Sequence, residues 1–246
     1  MWETVEIAAK QINTEFPLAI NLLDFIALNY QKITKRGFWR DSSTTKESFS
    51  PIGVCKGSNI LKFQEADIRL KENKLLKRRN YVQKAKKLVE TRGLPVKNIC
   101  NLPGEKKAYY PKIDGADLTG VAHVELDNRN SVLIWHYPRS QIFKDKLLPR
   151  INELYSDIIS PRKPKMENFD NTMEKLAGIH WLMVQGMPFK GGTGGISDAF
   201  MKTIMRYLNF KIPPYKRDVV PDMDVLTTPL EEYKKEFPKF FERSIL

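Results

Sequence analysis

Apolar positions near the start of the chain recur at three- and four-residue steps. Trp2, Val5, Ala9, Ile12 and Phe16 share one helical face, and the spacing predicts a helix over 2–16. Pro17 interrupts it. Leu18 to Thr34 reads as a second, more apolar helix, closed by Gly37. Residues 40–50 are polar and rich in Ser and Thr, the composition of a loop. From Gln64 to Thr91, Ile68, Leu75, Val82 and Val89 fall seven apart, and Ala85 and Leu88 widen the stripe. The pattern predicts a long basic helix that stops at Gly93 and Pro95. It is a packed amphipathic helix rather than a coiled coil, which needs a longer run.

Residues 101–120 carry Gly and Pro signals and read as loop. The period then changes to two. Val121–Leu126 and Ser131–Tyr137 flank Asp127-Asn128-Arg129-Asn130, a hairpin signature that Pro138 ends. Phe143 to Ile159 reads as a helix with Leu147, Leu148, Ile151, Leu154 and Ile158 on one face, and 161–165 as a basic connector. Asn168 to Gly186 gives a strong helix carrying Met173, Leu176, Ala177, His180, Trp181 and Val184. Further helices are predicted over Ile196–Leu208 and near Leu230–Phe237. The fold class expected is mainly α with a small β-hairpin, in a single domain over 1–246.

Composition narrows the classes. The chain has 246 residues, 41% of them hydrophobic and 11% aromatic, so it is neither wholly disordered nor low in complexity. Its two cysteines, Cys55 and Cys100, cannot alone make a disulfide scaffold or a zinc site. The longest apolar stretch, Ala19 to Leu28, holds Asn21 and Asp24 and is half the ~20 residues that a spanning helix needs. No Sec-type signal is expected, because Glu3 and Glu6 stand where a basic region would, and Met1-Trp2 is not a myristoylation signal.

Net charge is +12, and most of it is local. Between Lys62 and Lys112 stand 15 Lys and Arg against 5 Asp and Glu. Such a face is either a solvated helix surface or a docking surface for an acidic protein or nucleic acid. No zinc-finger, RNP1-like or zipper motif supports base reading.

The segment richest in chemical signals is 179–208. Gly191, Gly192, Gly194 and Gly195 occupy four of five positions between two predicted helices. A Gly-rich loop that opens a helix presents free N–H groups and a positive dipole end to an anion. Lys190 adds charge, and Thr193 and Ser197 add hydroxyls. The same composition also serves as a tight helix connector. It is neither a Walker A loop nor a Rossmann fingerprint, since no Gly-Lys-Ser/Thr follows and a helix, not a strand, precedes it. Asp198 would repel a phosphate unless it points away.

The stretch 187–195 resembles the Fic loop at Pro188, Phe189, Gly192 and Gly194. Met187, Gly191 and Gly195 replace the motif's His, acidic residue and Arg, so AMP transfer by the Fic mechanism is not expected. A closer resemblance is to the AvrB family of bacterial type III effectors, carried by His180-Trp181, Gly186-Met187-Pro188, the 191–195 turn and Pro213-Pro214-Tyr215. It covers roughly 146–246, the expected Fido core, and leaves 1–145 as a variable basic lobe with the hairpin near 121–137. The resemblance implies a Fido/Fic-like helical bundle with a hairpin flap. It also implies a nucleotide or nucleotide-sugar cleft, and transfer of a deoxyhexose from a dTDP- or UDP-sugar to a hydroxyl of a host protein. An ADP-like nucleotide is the other ligand implied, with no further cofactor and no metal. Delivery by a specialised secretion system into the host cytoplasm is implied as well, and a monomer is expected. The family's Arg falls on Gly191, and an Asp that follows the PPF segment falls on Asp222.

The candidate site residues are therefore Asp222 and His136 for catalysis, and Lys190, Gly191, Gly192, Thr193, Gly194 and Ser197 for ligand binding. Asp222 suits a helix N-cap or a site carboxylate equally. His123 and His136 sit on the hairpin arms and would reach a cleft if the hairpin is the flap; otherwise they are ordinary surface residues. His180 is either a hydrogen-bonded core residue or a catalytic one. The alternative function is a catalytically inactive Fido-fold module that docks an acidic partner or nucleic acid through its 62–112 face.

Overall fold

The computed structural model describes residues 1–40, 83–95, 105–125, 131–160, 169–217 and 219–242. These fall into two compact units. The first holds α1 (Trp2–Glu15) and α2 (Ala19–Thr34) together with the helices that follow residue 139, except residues 226–228, which group with the second. One of these, α4, is composite: Ser140–Ile142, a π-helical turn Phe143–Leu147, then Leu148–Ile159. After it come α5 (Phe169–Gly186), α6 (Thr193–Tyr207), α7 (Pro221–Thr227) and α8 (Leu230–Glu236), the last running into a 3-10 turn, Phe237–Phe240.

The first unit is built around α5. From Leu176 to Gly186 every residue is buried. A helix that is apolar on all sides must lie inside, and α5 is packed by α4, α6 and α8. Helix α1 lies against α2 and α6 through Val5, Ala8, Ala9 and Ile12. Trp2, expected on that face, is exposed in the first turn of α1. Long-range bonds fasten the N-terminal helices to this unit. Tyr155 donates its buried hydroxyl to the Phe16 carbonyl at 2.8 Å, and the Ala19 N–H donates to Asn152 Oδ1 at 2.9 Å.

The second unit carries an antiparallel sheet in the order β1 (Leu94–Pro95), β2 (Glu105–Tyr109), β5 (Gly120–Glu125), β6 (Ser131–His136). The expected hairpin is β5–β6, in register from Gly120↔His136 to Glu125↔Ser131. Its turn lies outside the described residues. The stretch read as loop over 101–120 is a correction: it supplies β2, and also the short pair β3 (Lys112–Ile113) and β4 (Ala116–Asp117). Asp114 (φ 49°) and Gly115 (φ 77°) make the turn between the last two, the backbone that an Asp-Gly hairpin requires. Helix α3 covers residues 83–92, the end of the long basic helix expected from Gln64; the rest of that helix, with Cys55 and Cys100, lies outside the described residues. Ala85, Leu88 and Val89 are buried, as their spacing predicts. The unit also buries Ala108, Leu118, Val121 and Trp135.

Candidate functional site

The 187–195 loop leaves α5 at Gly186 and enters α6 three residues earlier than expected. Met187 leaves the helix with a left-handed φ of 41°. The chain then runs antiparallel to residues 37–40. Arg40 N–H donates to Pro188 O at 2.9 Å, Lys190 N–H to Phe38 O at 2.7 Å, and Gly37 N–H to Gly191 O at 2.9 Å. Buried Arg40 adds a bond from its guanidinium to Met187 O at 2.9 Å. The Trp39 ring packs on Phe189 with centroids 4.6 Å apart, and its indole N–H donates to Asp24.

This ladder brings Lys35, Arg36 and Phe38, which follow α2, beside Lys190 and Gly191. The five, with Gly37, line an open groove of about 330 Å³. Among the described residues three cations line it and no carboxylate does. Sequence reasoning missed Lys35, Arg36 and Phe38. Their only local signal was the Gly37 helix stop, and the pairing that gives them a role spans about 150 residues of chain.

At the start of α6 the glycines serve the protein's own packing. Gly192 has φ +86°, and a Cβ there would stand 2.6 Å from the Tyr30 ring. Gly195 is crowded by the same ring. At Gly194 the close neighbour is Asp222, whose Oδ2 lies 2.7 Å from where a Cβ would be. Gly192→Ala is therefore expected to lower stability by about 1–2 kcal/mol, from the left-handed backbone and displacement of Tyr30. A urea midpoint checks it.

The first intrahelical bond of α6 runs from Ile196 N–H to Gly192 O at 2.9 Å. The N–H groups of Thr193, Gly194 and Gly195 precede it and have no intrahelical acceptor. Gly192 caps the helix without a side-chain bond. Thr193 is buried, and its hydroxyl has no hydrogen-bond partner among the described residues. Ser197, expected to bind ligand, is fully buried, and its hydroxyl donates to Thr193 O at 2.8 Å and Gly194 O at 3.0 Å. Both acceptors belong to the first turn of the same helix.

Asp222 stands in the first turn of α7, which the sequence reading left irregular. Its Oδ1 accepts the Met223 N–H at 3.1 Å. Burial raises its carboxyl above the usual range; the Met223 N–H opposes the rise, and the Asp198 and Asp224 carboxylates add to it. Asp198 is directed elsewhere: it accepts the Tyr215 hydroxyl at 2.8 Å and pairs with Lys202 at 2.7 Å. Burial, then Asp198, raises the Tyr215 phenol, so that group stays protonated.

His180 is a core residue, 1% exposed, with Nδ1 2.6 Å from the Tyr233 hydroxyl. His136 ends β6 in the second unit, half-buried, its ring centroid 6.0 Å from that of Tyr110. Asp222 stands against Gly194, Lys190 and Gly191 share the groove, and all four belong to the first unit with Gly192 and Thr193, while His136 belongs to the other unit.

A family model described as AvrB_AvrC, avirulence protein, matches residues 119–244, just over half of the chain. No curated protein matches it. The matched span contains Lys190, Asp222 and the β5–β6 hairpin; Lys35, Arg36 and Phe38 lie outside it.

Proposed function

The chain belongs to the AvrB_AvrC family of avirulence proteins, and on that premise we propose that this effector binds a nucleotide sugar and transfers its deoxyhexose to a hydroxyl of a host protein. Among the described residues no helix is long and apolar enough to cross a membrane. Delivery into the host cytoplasm is part of the same proposal.

The observation that carries the reading is the approach of Asp222 to the first turn of α6, directly after the loop that lines a cationic groove. A part-buried carboxylate with a raised pKa is a better proton acceptor at neutral pH than an ordinary aspartate. In this reading Asp222 takes the proton from the acceptor hydroxyl. The oxygen attacks the anomeric carbon, and the bond to the donor's phosphate oxygen breaks. The leaving diphosphate gains negative charge, which Lys190 and the positive dipole end of α6 are suited to stabilise.

A thermal-shift screen with ADP, UDP, dTDP, UDP-glucose and dTDP-rhamnose tests the binding step. A ligand at ~100 times its dissociation constant adds about 2.7 kcal/mol, a rise of a few degrees for a protein of this size. One nucleoside diphosphate class should stabilise the wild type, and Lys190→Ala should reduce its shift. No shift with any of them would contradict the proposal.

A further inference from the structure

The groove between the end of α2 and the 187–191 segment gathers basic side chains beside an exposed aromatic ring. Lys35, Arg36 and Lys190 line one opening, and no carboxylate among the described residues lines it. Lys35 and Arg36 are adjacent like charges that repel, and an anion beside them removes that cost. Neither Lys35 nor Arg36 makes a side-chain ion pair among the described residues. The backbone that carries them is fixed. Lys35 caps α2 in the left-handed conformation, φ 59°, with its N–H bonded to Gln31 O, and Gly37 is bonded across to Gly191. The groove is therefore formed before any ligand arrives, and its volume is that of a small-molecule site.

Two side chains specify the ligand further. The Arg36 stem runs beside Gly191, its Cδ 3.9 Å from where a Cβ would stand, which places the guanidinium at the groove wall that Gly191 forms. A guanidinium offers paired N–H groups to phosphate oxygens, which the neighbouring lysines, as point charges, do not. Phe38 lines the same groove with 49% of its surface exposed. An exposed aromatic face beside such cations is the arrangement on which a base stacks while its phosphates are held.

We infer that Arg36, with Lys35, holds the phosphates of a nucleoside diphosphate in this groove and that Phe38 stacks its base. This rests on the nucleotide reading above and assigns to it residues outside the family-matched span. The test is isothermal titration of the full chain with ADP and, separately, with inorganic pyrophosphate. Arg36→Ala should weaken both by about tenfold or more, the loss of a charge-assisted bond pair. Arg36→Lys should recover part of that loss. Phe38→Ala should weaken ADP and leave pyrophosphate unchanged. Both side chains are exposed, so the variants should keep the wild-type circular dichroism. ADP binding untouched by Arg36→Ala and Phe38→Ala would overturn the inference and leave the nucleotide reading standing. Arg36-dependent pyrophosphate binding without ADP binding would overturn the role of Phe38 and the nucleotide reading together. Wild-type protein that binds neither would overturn all of it.

Discussion

Asp222→Asn should lower the proposed glycosyl transfer by about a hundredfold or more while making the folded chain more stable. The activity loss follows from removing the only proton acceptor assigned to the acceptor hydroxyl, a role worth ~10²–10⁴ in rate. The gain in stability follows from linkage. Burial raises the Asp222 pKa in the folded state. Between the unfolded and folded values the native chain holds a proton that the unfolded chain has lost, so stability falls as pH rises through the folded value. At neutral pH the charged side chain is therefore a destabilising group, and asparagine removes the charge while keeping the shape. An increase in Tm accompanied by loss of transfer is the signature of a site carboxylate held at the expense of the fold. If Asp222 only stabilises the packing at Gly194, the asparagine variant should lose stability and keep its rate.

His180 gives the second large effect, and it acts on stability. The ring is buried between α5 and the Tyr233–Phe237 aromatic cluster of α8 and the following turn. Burial lowers its pKa from 6.5 to about 4, against a smaller opposing pull from Asp198. An unfolded histidine takes up its proton near pH 6.5, and the folded one resists until about pH 4. Stability from this residue is whole above the unfolded value and is lost as pH falls through that window, by about 3 kcal/mol. Urea denaturation at pH 7 and pH 4 measures the loss. His180→Asn, which can offer a hydrogen-bonding group to Tyr233 from the position of Nδ1, should be less stable at pH 7 and lack this part of the acid dependence. An equal pH slope in both proteins would show that carboxylates alone carry it.

Elements set by local periodicity were legible. Helices α1, α2, α5 and α8 begin and end within about three residues of where the apolar spacing and the Pro and Gly signals put them, and β5–β6 follows the change to period two. Elements set by distant partners were not. The charged sequence of β2 has no apolar alternation; it is a strand because β5 offers its edge. The pairing of 37–40 with 188–191 leaves no trace in either segment, so the basic groove could not be read, although Lys190 and Gly191 could. Asp114-Gly115 was a usable turn signal, passed over because the strands beside it are two residues long. The glycine run pointed to a close approach at the start of α6. What approaches is Tyr30 and Asp222, and which group fills such a space is a property of the fold rather than of the loop.

The central claim is that this effector moves a sugar onto protein, and label transfer tests it most directly. Wild-type chain and Asp222→Asn would each be incubated with a host-cell extract and a dTDP- or UDP-sugar carrying a radiolabelled sugar. The account predicts protein-bound label that is stable to acid precipitation, formed by the wild type and reduced by about a hundredfold or more in the variant. A wild-type chain that binds the donor and leaves no label on any protein would contradict it, as would equal labelling by the two.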